Sequence, residues 1–263
     1  MLDVSVKHVK FSYDEHEVVL GDIDFHVKAG DFVCILGQSG CGKSTFLRLM
    51  AGLEKPTQGS IFIGGKPLQG ASLQRIVVFQ DYGLFPWMKA GENIVLALKQ
   101  RFPQMDKKTL KQTTIDALRR VGLSEDVYYK FPKELSGGMK QRCAIARAFS
   151  VDPPILLMDE PFGALDAVTR ARLQDLVLTM WAKDEKKKTV FFVTHDVDEA
   201  LLLANRIVVF GQSPSHIIYD YGAEDGTRPT RNTMYDDVKY MRLRNELIKC
   251  INSDINSEVN KDI

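Results

Sequence analysis

The chain has 263 residues, 44% of them hydrophobic, which is enough to bury a large core in one α/β domain or in such a domain with a small lobe attached. Its 35 basic and 34 acidic residues give a formal net charge of +1, so the charge balance offers no electrostatic case for binding nucleic acid. The start of the chain lacks the apolar core of a signal peptide, and no apolar run reaches the roughly 18 residues of a membrane span. The four cysteines lack metal-ligand spacing. Together these observations predict a protein of a reducing compartment.

The N-terminal part of the chain predicts short strands. Alternating residues at 4–6 and 23–27 predict two of them, and an apolar run at 32–36 predicts a buried third. Residues 45–51 predict a helix, and residues 60–63 predict a further strand after it.

A glycine-rich loop, Gly-Gln-Ser-Gly-Cys-Gly-Lys-Ser at 37–44, joins the strand at 32–36 to the helix at 45–51. Such a loop turns successive N–H groups toward phosphate oxygens, and the helix N-terminus adds partial positive charge. Lys43 would reach the β- and γ-phosphates, and the Ser44 hydroxyl would bind Mg²⁺. The strand–loop–helix context disfavours a chance match, so the loop predicts nucleotide binding. The predicted binding residues are Gly37, Gln38, Ser39, Gly40, Cys41, Gly42, Lys43, Ser44 and Thr45.

Cys41 within this loop has two interpretations. It is either an oxidation target or simply a small residue that the loop tolerates.

Residues 90–150 change to a helical pattern, with apolar faces at 94–98 and 115–118. Within them, Ser136, Gly137 and Gly138 precede a run of good helix formers at 139–149. The free N–H groups and the dipole at that helix start again favour an anion. One chain therefore presents two helix starts suited to anions.

Two nearly continuous apolar runs at 155–158 and 190–193, with a third candidate at 207–210, suit a parallel sheet covered on both faces. Asp159 and Glu160 follow the first run; we interpret Asp159 as a Mg²⁺ carboxylate, through a water, and Glu160 as the general base for the attacking water. His195 follows the second run, where ligands bind in open α/β sheets, and could contact the γ-phosphate. Alternatively, Asp159 and Glu160 are merely exposed charges of a loop, and His195 is a structural histidine.

Beyond residue 211 the chain is polar, with one amphipathic helix predicted near 235–251.

In order and spacing these motifs resemble the ATP-binding subunit of ABC transporters over about residues 2–215. Residues 135–139, Leu-Ser-Gly-Gly-Met, are similar to the family signature, which usually ends in Gln where this chain has Met139. Gln80 matches the Q-loop, Asp166 the D-loop and His195 the switch histidine, while Tyr13 fits the aromatic residue that stacks on adenine.

The resemblance implies a role for each matching residue. The implied catalytic residues are Glu160, His195, Gln80 and Lys43, and the implied Mg²⁺ ligands are Ser44, Gln80 and Asp159. Nucleotide contacts are implied for Tyr13 and, toward the ATP of a second subunit, for Ser136, Gly137, Gly138 and Asp166.

The resemblance also implies the fold class. We expect an α/β P-loop NTPase core with a mostly parallel sheet, an N-terminal antiparallel β subdomain and a helical lobe that carries the signature. The ATP-binding domain is predicted at 1–215, with the helical lobe at about 90–150, and a helical C-terminal extension is predicted at 216–263.

Residues 85–87, Phe-Pro-Trp, resemble a segment after the Q-loop in the nitrate, sulfonate and taurine importer group. The resemblance implies a subunit that hydrolyses Mg²⁺-ATP to power a bacterial importer, peripheral on the cytoplasmic face of the cell membrane. Its implied partners are a second ATP-binding subunit in a head-to-tail homodimer, integral membrane permease subunits and, indirectly, an extracytoplasmic solute-binding protein; no nucleic acid partner is expected. Trp87 either contacts the permease or is a buried anchor for the helical lobe.

The rival hypothesis is a soluble ABC-type ATPase acting in DNA repair or on ribosomes. Repair ATPases of this kind insert long coiled coils between the glycine-rich loop and the signature. Only about 90 residues separate Ser44 from Ser136 here, which leaves no space for a coiled coil. Ribosome-associated members usually carry two ATPase halves, and this chain has one set of motifs. A regulatory module without turnover is opposed by the presence of both Lys43 and Glu160.

Overall fold

The chain folds as two units, residues 1–71 with 186–263 (unit 1) and residues 72–185 (unit 2). The structure is a computed structural model that describes residues 2–14, 17–184, 187–223 and 226–259. Within those ranges no helix has both the length and the hydropathy to cross a membrane.

The described residues form strands and helices that are numbered here in chain order. The strands are β1 (Val4–Ser12), β2 (Val18–Val27), β3 (Phe32–Leu36), β4 (Gln58–Ile63), β5 (Lys66–Pro67), β6 (Arg75–Val78), β7 (Ile155–Asp159), β8 (Thr189–Thr194), β9 (Arg206–Phe210) and β10 (Ser215–Gly222). The helices are α1 (Lys43–Ala51), α2 (Ala90–Arg101), α3 (Lys107–Arg120), α4 (Gly137–Ser150), α5 (Ala167–Ala182), α6 (Val197–Leu203) and α7 (Val238–Val259). Short 3₁₀ turns lie at Glu125–Tyr129 and Pro132–Glu134.

The sheet of unit 1 is mixed, with the strand order β5-β4-β1-β2-β10-β9-β3-β8. Strands β1, β2, β4 and β5 pair antiparallel, whereas β3 pairs parallel with both β8 and β9. Every residue of β3 and β8 is buried, as expected for parallel strands covered on both faces. The N-terminal strands alternate between buried and more exposed positions over much of their length, which fits a sheet with one solvated face.

The core of unit 1 centres on Phe46 of α1, which is fully buried. Its ring centroid lies 5.7 Å from that of Phe25, 6.4 Å from Phe191 and 5.5 Å from Phe210. These rings come from three strands of the sheet, so burial of Phe46 fixes α1, and with it the loop that precedes the helix, against the sheet.

Unit 2 consists of the parallel pair β6–β7 and the helices α2 to α5. Helices α2, α3 and α4 pack on one another through buried residues that include Ile94, Leu118 and Ile145. Helix α5 buries Leu173, Val177 and Trp181, which stand four residues apart and therefore share one face.

Most predicted elements are present, but some were not predicted. The strands predicted around residues 4, 23, 32, 60, 155, 190 and 207, and the helical pattern at 90–150, correspond to β1, β2, β3, β4, β7, β8, β9 and α2 to α4. No prediction covered β5, β6, α5 or α6, and the strand β10 lies where a helical extension was predicted.

The C-terminal segment is less uniform than the helical extension predicted for 216–263. Helix α7 covers the helix predicted near 235–251. Before it, β10 pairs parallel with β2 and antiparallel with β9, so the segment begins inside the sheet of unit 1. The domain limits 1–215 and 216–263 stay a prediction.

Candidate active site

The phosphate loop and His195 lie at the same edge of the sheet in unit 1. Leu36, the last residue of β3, pairs with Thr194, the last residue of β8. Gly37 and His195 follow those residues directly, so the loop begins beside the histidine. This is the carboxyl edge of parallel strands, where α/β proteins bind ligands.

Gly42 gives the loop its shape and begins α1. Its φ of 94° lies in the left-handed region, and a Cβ at this position would stand 2.8 Å from Cδ2 of Leu20. Any other residue would therefore be strained and would clash. As the N-cap, Gly42 provides no side-chain hydrogen bond, so no side chain competes with an anion for the first amides of α1.

The Lys43 side chain lies over the loop that precedes it. Its Nζ donates to the carbonyl oxygens of Gly37, at 2.9 Å, and Gln38, at 2.6 Å, and the residue is only 4% exposed. Ser44 is exposed at the start of the same helix. The ammonium is thus held within the glycine-rich loop, where a phosphate oxygen could replace either carbonyl as its acceptor.

Cys41 has the character of a packing residue. It is 3% exposed, and burial raises the pKa of its thiol above the ordinary value. A buried, protonated thiol is a poor nucleophile, so the structure favours the interpretation as a small residue over that as an oxidation target.

Tyr13 presents a half-exposed ring beside the phosphate loop. It is 52% exposed, and its ring packs edge-on against Phe11 with a centroid distance of 4.8 Å. Its hydroxyl lies 3.1 Å from Oγ1 of Thr45, in the first turn of α1. The ring is therefore fixed at one end while much of its surface stays open.

His195 is exposed and lies between β8 and α6. The next residue, Asp196, is the N-cap of α6: its carboxylate accepts hydrogen bonds from the backbone N–H groups of Asp198, at 2.9 Å, and Glu199, at 3.1 Å. The N–H of Asp196 itself donates to Oγ1 of Thr194 at 3.0 Å. These bonds fix the backbone on both sides of the histidine.

Unit 2 has a corresponding edge, which carries Gln80, Asp159 and Glu160. Val78 of β6 pairs in parallel with Met158 of β7, so Gln80 and Glu160 each lie two residues beyond a paired position. Gln80 is exposed, and both carboxylates are half-buried. Glu160 has a φ of 40°, a left-handed conformation that non-glycine residues seldom adopt and that clusters at functional sites.

The signature segment lines a concavity of about 310 Å³ in unit 2, together with Ala164, Leu165 and Asp166. Ser136 is the N-cap of α4, where its Oγ accepts a hydrogen bond from the N–H of Met139 at 3.3 Å. A Cβ at Gly138 would stand 2.8 Å from Cγ2 of Thr169, so glycine permits the close approach of α4 and α5. The side chain at 139 is not needed for this cap, since Met139 contributes only its backbone.

Asp166 is the N-cap of α5. Hydrogen bonds from the backbone N–H and the hydroxyl of Thr169 hold the pKa of this carboxyl below its ordinary value. The starts of α4 and α5 therefore meet at one concave surface, with Ser136 and Asp166 as their caps.

Two residues that the sequence did not single out support the segment after Gln80. Arg147 of α4 donates to the carbonyl oxygens of Gly83, at 2.5 Å, and Tyr82, at 3.2 Å. Asn93 of α2, 1% exposed, accepts a hydrogen bond from the N–H of Phe85 at 2.7 Å. Both are polar residues on helix faces, and only their contacts distinguish them from ordinary helix residues.

The segment that these residues support ends in an exposed aromatic pair. Trp87 is 72% exposed and Phe85 39%, with ring centroids 5.3 Å apart. The interpretation of Trp87 as a buried anchor is therefore wrong, whereas its contact with the permease stays a prediction.

The structure thus brings the predicted residues together in two groups. Tyr13, the loop 37–45 and His195 belong to unit 1, whereas Gln80, Asp159, Glu160 and the signature residues with Asp166 belong to unit 2.

Comparison with known proteins identifies related sequences and folds. A family model described as "ABC transporter" matches residues 20–163. The nitrate import ATP-binding protein NrtD of Synechococcus elongatus is 44% identical over 232 residues, which cover 88% of this chain and 84% of that protein. The bicarbonate transport ATP-binding protein CmpD of the same organism is 42% identical over 228 residues, or 86% of this chain and 81% of that protein. A solved dimeric structure of a post-hydrolysis state of the ATP-binding cassette MJ0796, bound to ADP and Pi, matches with a TM-score of 0.74 and 30% identity, covering 84% of this chain and 99% of that one. These similarities confirm the predicted fold class.

Proposed function

The chain belongs to the ABC transporter family, and we propose that it is the ATP-hydrolysing subunit of a bacterial importer for a small anion. ABC-type ATPase activity coupled to transport follows from the family and from the similarity to a cassette structure that holds ADP and Pi. The observation that carries the proposal is the register of β3 and β8, which sets the phosphate loop beside His195. Both named relatives are transport proteins, so the repair and ribosome hypothesis is not retained.

ATP binding is assigned to unit 1. The amides and Lys43 of the loop 37–45 would hold the phosphates, and the adenine would stack on the ring of Tyr13. The burial of Lys43 in the loop supports this role, because the ammonium needs only to exchange carbonyl acceptors for phosphate oxygens.

We expect Tyr13→Ala to weaken ATP binding by about 1–2 kcal/mol, the scale of a lost aromatic stack. Tyr13→Phe keeps the ring and loses only the hydroxyl contact with Thr45, so this variant should lose less ATP-binding free energy than Tyr13→Ala. Titration calorimetry with ATP measures both variants. An equal loss in the two would assign the effect to the hydroxyl and refute the stacking role.

The oxygen donors of the chain fit Mg²⁺. The predicted ligands Ser44, Gln80 and Asp159 offer a hydroxyl, an amide and a carboxylate oxygen, all hard ligands. No cluster of three or more His, Cys, Asp or Glu in the described ranges could hold a metal alone, which matches a cation bound largely by substrate phosphates. Bound there with ATP, the ion would neutralise charge that develops on the phosphate oxygens.

The proposed mechanism gives a task to each polar side chain of the site. Glu160 accepts a proton from the attacking water as general base, and Gln80 orients that water. His195 donates a hydrogen bond to the γ-phosphate and so reports its presence. The backbone bonds on either side of His195 support this role, because they restrict where the imidazole can stand.

The second half of each ATP site comes from another copy of the chain. Ser136, Gly137 and Gly138 would approach the γ-phosphate bound by the partner, with Asp166 at the same concave surface. The N-terminus of α4 supports this role, since its dipole favours an anion. We therefore expect a head-to-tail homodimer that forms around two ATP molecules.

The remaining partners are those of an importer. Permease subunits would contact the exposed Phe85 and Trp87 pair, and the chain would then lie at the cytoplasmic face of the membrane. A solute-binding protein would act from the other side without touching this chain. Nitrate and bicarbonate, named for the relatives, and the sulfonate and taurine implied by residues 85–87 are the candidate solutes.

Reconstituting the chain with the permease and binding protein encoded beside it tests this function. We expect the binding protein loaded with one of these four solutes to stimulate ATP hydrolysis, and Trp87→Ala to abolish the stimulation. Tyr129→Ala, which also removes an exposed aromatic ring of unit 2, is the matched control and should respond like the wild type. Stimulation by none of the solutes, or by taurine alone, which is a zwitterion at neutral pH, would refute the anion importer. Normal stimulation of Trp87→Ala would refute only the role of that surface.

A further inference from the structure

Helix α7 packs against α6 and β10 within unit 1. Its residues Tyr240, Leu243 and Leu247 are buried, with Leu247 fully inaccessible. An amphipathic helix held by such a face is part of the folded unit, so its polar contacts are made at fixed positions.

A charge-assisted contact of α7 reaches the first turn of α6. Arg244 Nε donates to Oδ1 of Asp198 at 2.6 Å, and Nη2 lies 3.5 Å from Oδ2. The hydroxyl of Tyr235 donates to the same carboxylate at 3.1 Å. The Arg244 and Asp198 side chains are 36% and 31% exposed, so this charge-assisted contact is partly shielded from water.

Asp198 lies only three residues after His195, and hydrogen bonds hold the intervening backbone. The carboxylate of Asp196 holds the N–H groups of Asp198 and Glu199, while the N–H of Asp196 is held by Thr194. Any shift of Asp198 is therefore passed back through one capped turn to the histidine.

Helix α7 is also attached to the hairpin of β9 and β10. Oδ2 of Asp254 accepts a hydrogen bond from the N–H of Gln212 at 2.8 Å, and Tyr219 donates to Glu246 at 3.0 Å. Ser215, at the start of β10, donates to the carbonyl oxygen of Cys41 in the phosphate loop. One helix thus contacts, through different residues, the supports of both the phosphate loop and the histidine.

We infer that Arg244 is a positioning residue for His195: by holding Asp198 it fixes the first turn of α6 and so the place of the imidazole relative to the phosphate loop. The inference rests on the proposed function, since it needs His195 to act in ATP turnover. It assigns a task in catalysis to α7, which contacts the elements that support His195.

The effect of removing Arg244 should separate turnover from binding. Arg244→Ala leaves Asp198 with Tyr235 alone and loosens the histidine, so we expect kcat to fall about 2- to 30-fold, the range seen for residues that couple sites at a distance. The dissociation constant for ATP should not change, because the phosphate loop and Tyr13 are untouched. Arg244→Lys keeps the charge but not the planar guanidinium, so its kcat should lie between those of the wild type and Arg244→Ala.

Arg242→Ala is the matched control, because it removes an exposed arginine from the same helix and should match the wild type. The decisive variant adds His195→Ala. If Arg244 acts through the histidine, Arg244→Ala in that background should lower the residual rate by less than about twofold, a departure from additivity. Thermal unfolding checks that each variant is folded. If Arg244→Ala is not folded, Arg244→Lys takes its place in the comparison.

Four outcomes would overturn the inference, and one of them would refute the proposed function as well. If the wild type hydrolyses ATP and Arg244→Ala has the same kcat, the inference fails and the proposed function stands. The same holds if Arg244→Ala lowers kcat by the same factor in the wild type and in the His195→Ala background. A weaker ATP affinity that accounts for the whole loss would overturn it as well. A wild type that does not hydrolyse ATP would refute the proposed function itself, and the inference with it.

Discussion

Replacing Glu160 by glutamine is expected to lower ATP turnover on the order of 10²- to 10⁴-fold while ATP still binds. Glutamine preserves size and hydrogen bonding but cannot accept the proton of the attacking water. The φ of 40° at this position suits glutamine no less than glutamate, so the backbone should be unaffected. Steady-state phosphate release, measured with the permease present, reads out the loss.

Glu125→Gln is the control for this substitution, because it makes the same chemical change at an exposed site of unit 2. It should hydrolyse ATP at the wild-type rate. Turnover of Glu160→Gln within a few-fold of that control would remove Glu160 from the role of general base.

The elements around the phosphate loop could be predicted because their signals are local. The apolar run 32–36 is β3 to the residue, and the helix expected from residue 45 begins two residues earlier, since Gly42 is its N-cap. Helix α5 was missed although its signals are local too: Asp166 is an N-cap, and Leu173, Val177 and Trp181 are spaced at four residues.

Other features depend on contacts that no local pattern encodes. Strand β10 pairs with β2, nearly two hundred residues earlier, and its mixed burial follows from that pairing rather than from a period in its own sequence. Arg147 and Arg244 read as surface arginines of helices, yet one holds carbonyl groups of the segment after Gln80 and the other holds the turn after His195. Their roles become visible only when distant parts of the chain are brought together.

Assembly is expected to depend on the γ-phosphate. The Glu160→Gln protein should be a monomer without nucleotide and a dimer with Mg²⁺-ATP, because each ATP would bridge the phosphate loop of one chain and the Ser136 turn of the other. ADP lacks the bridging group and should leave a monomer. Light scattering after size-exclusion chromatography distinguishes the two masses.

Mixing two disabled variants in the Glu160→Gln background tests whether one ATP site is built from two chains. Lys43→Ala removes the phosphate loop's cation. Ser136→Asp keeps a good N-cap for α4 but sets a negative charge against the γ-phosphate. Neither variant should dimerise alone, since every composite site then has one defective half.

In the mixture, a heterodimer concentrates both defects in one site and leaves the other site intact. Light scattering with Mg²⁺-ATP should therefore show a dimer in the mixture and in neither variant alone. A mixture that stays monomeric, or one whose dimer is equally stable with ADP, would contradict the head-to-tail site.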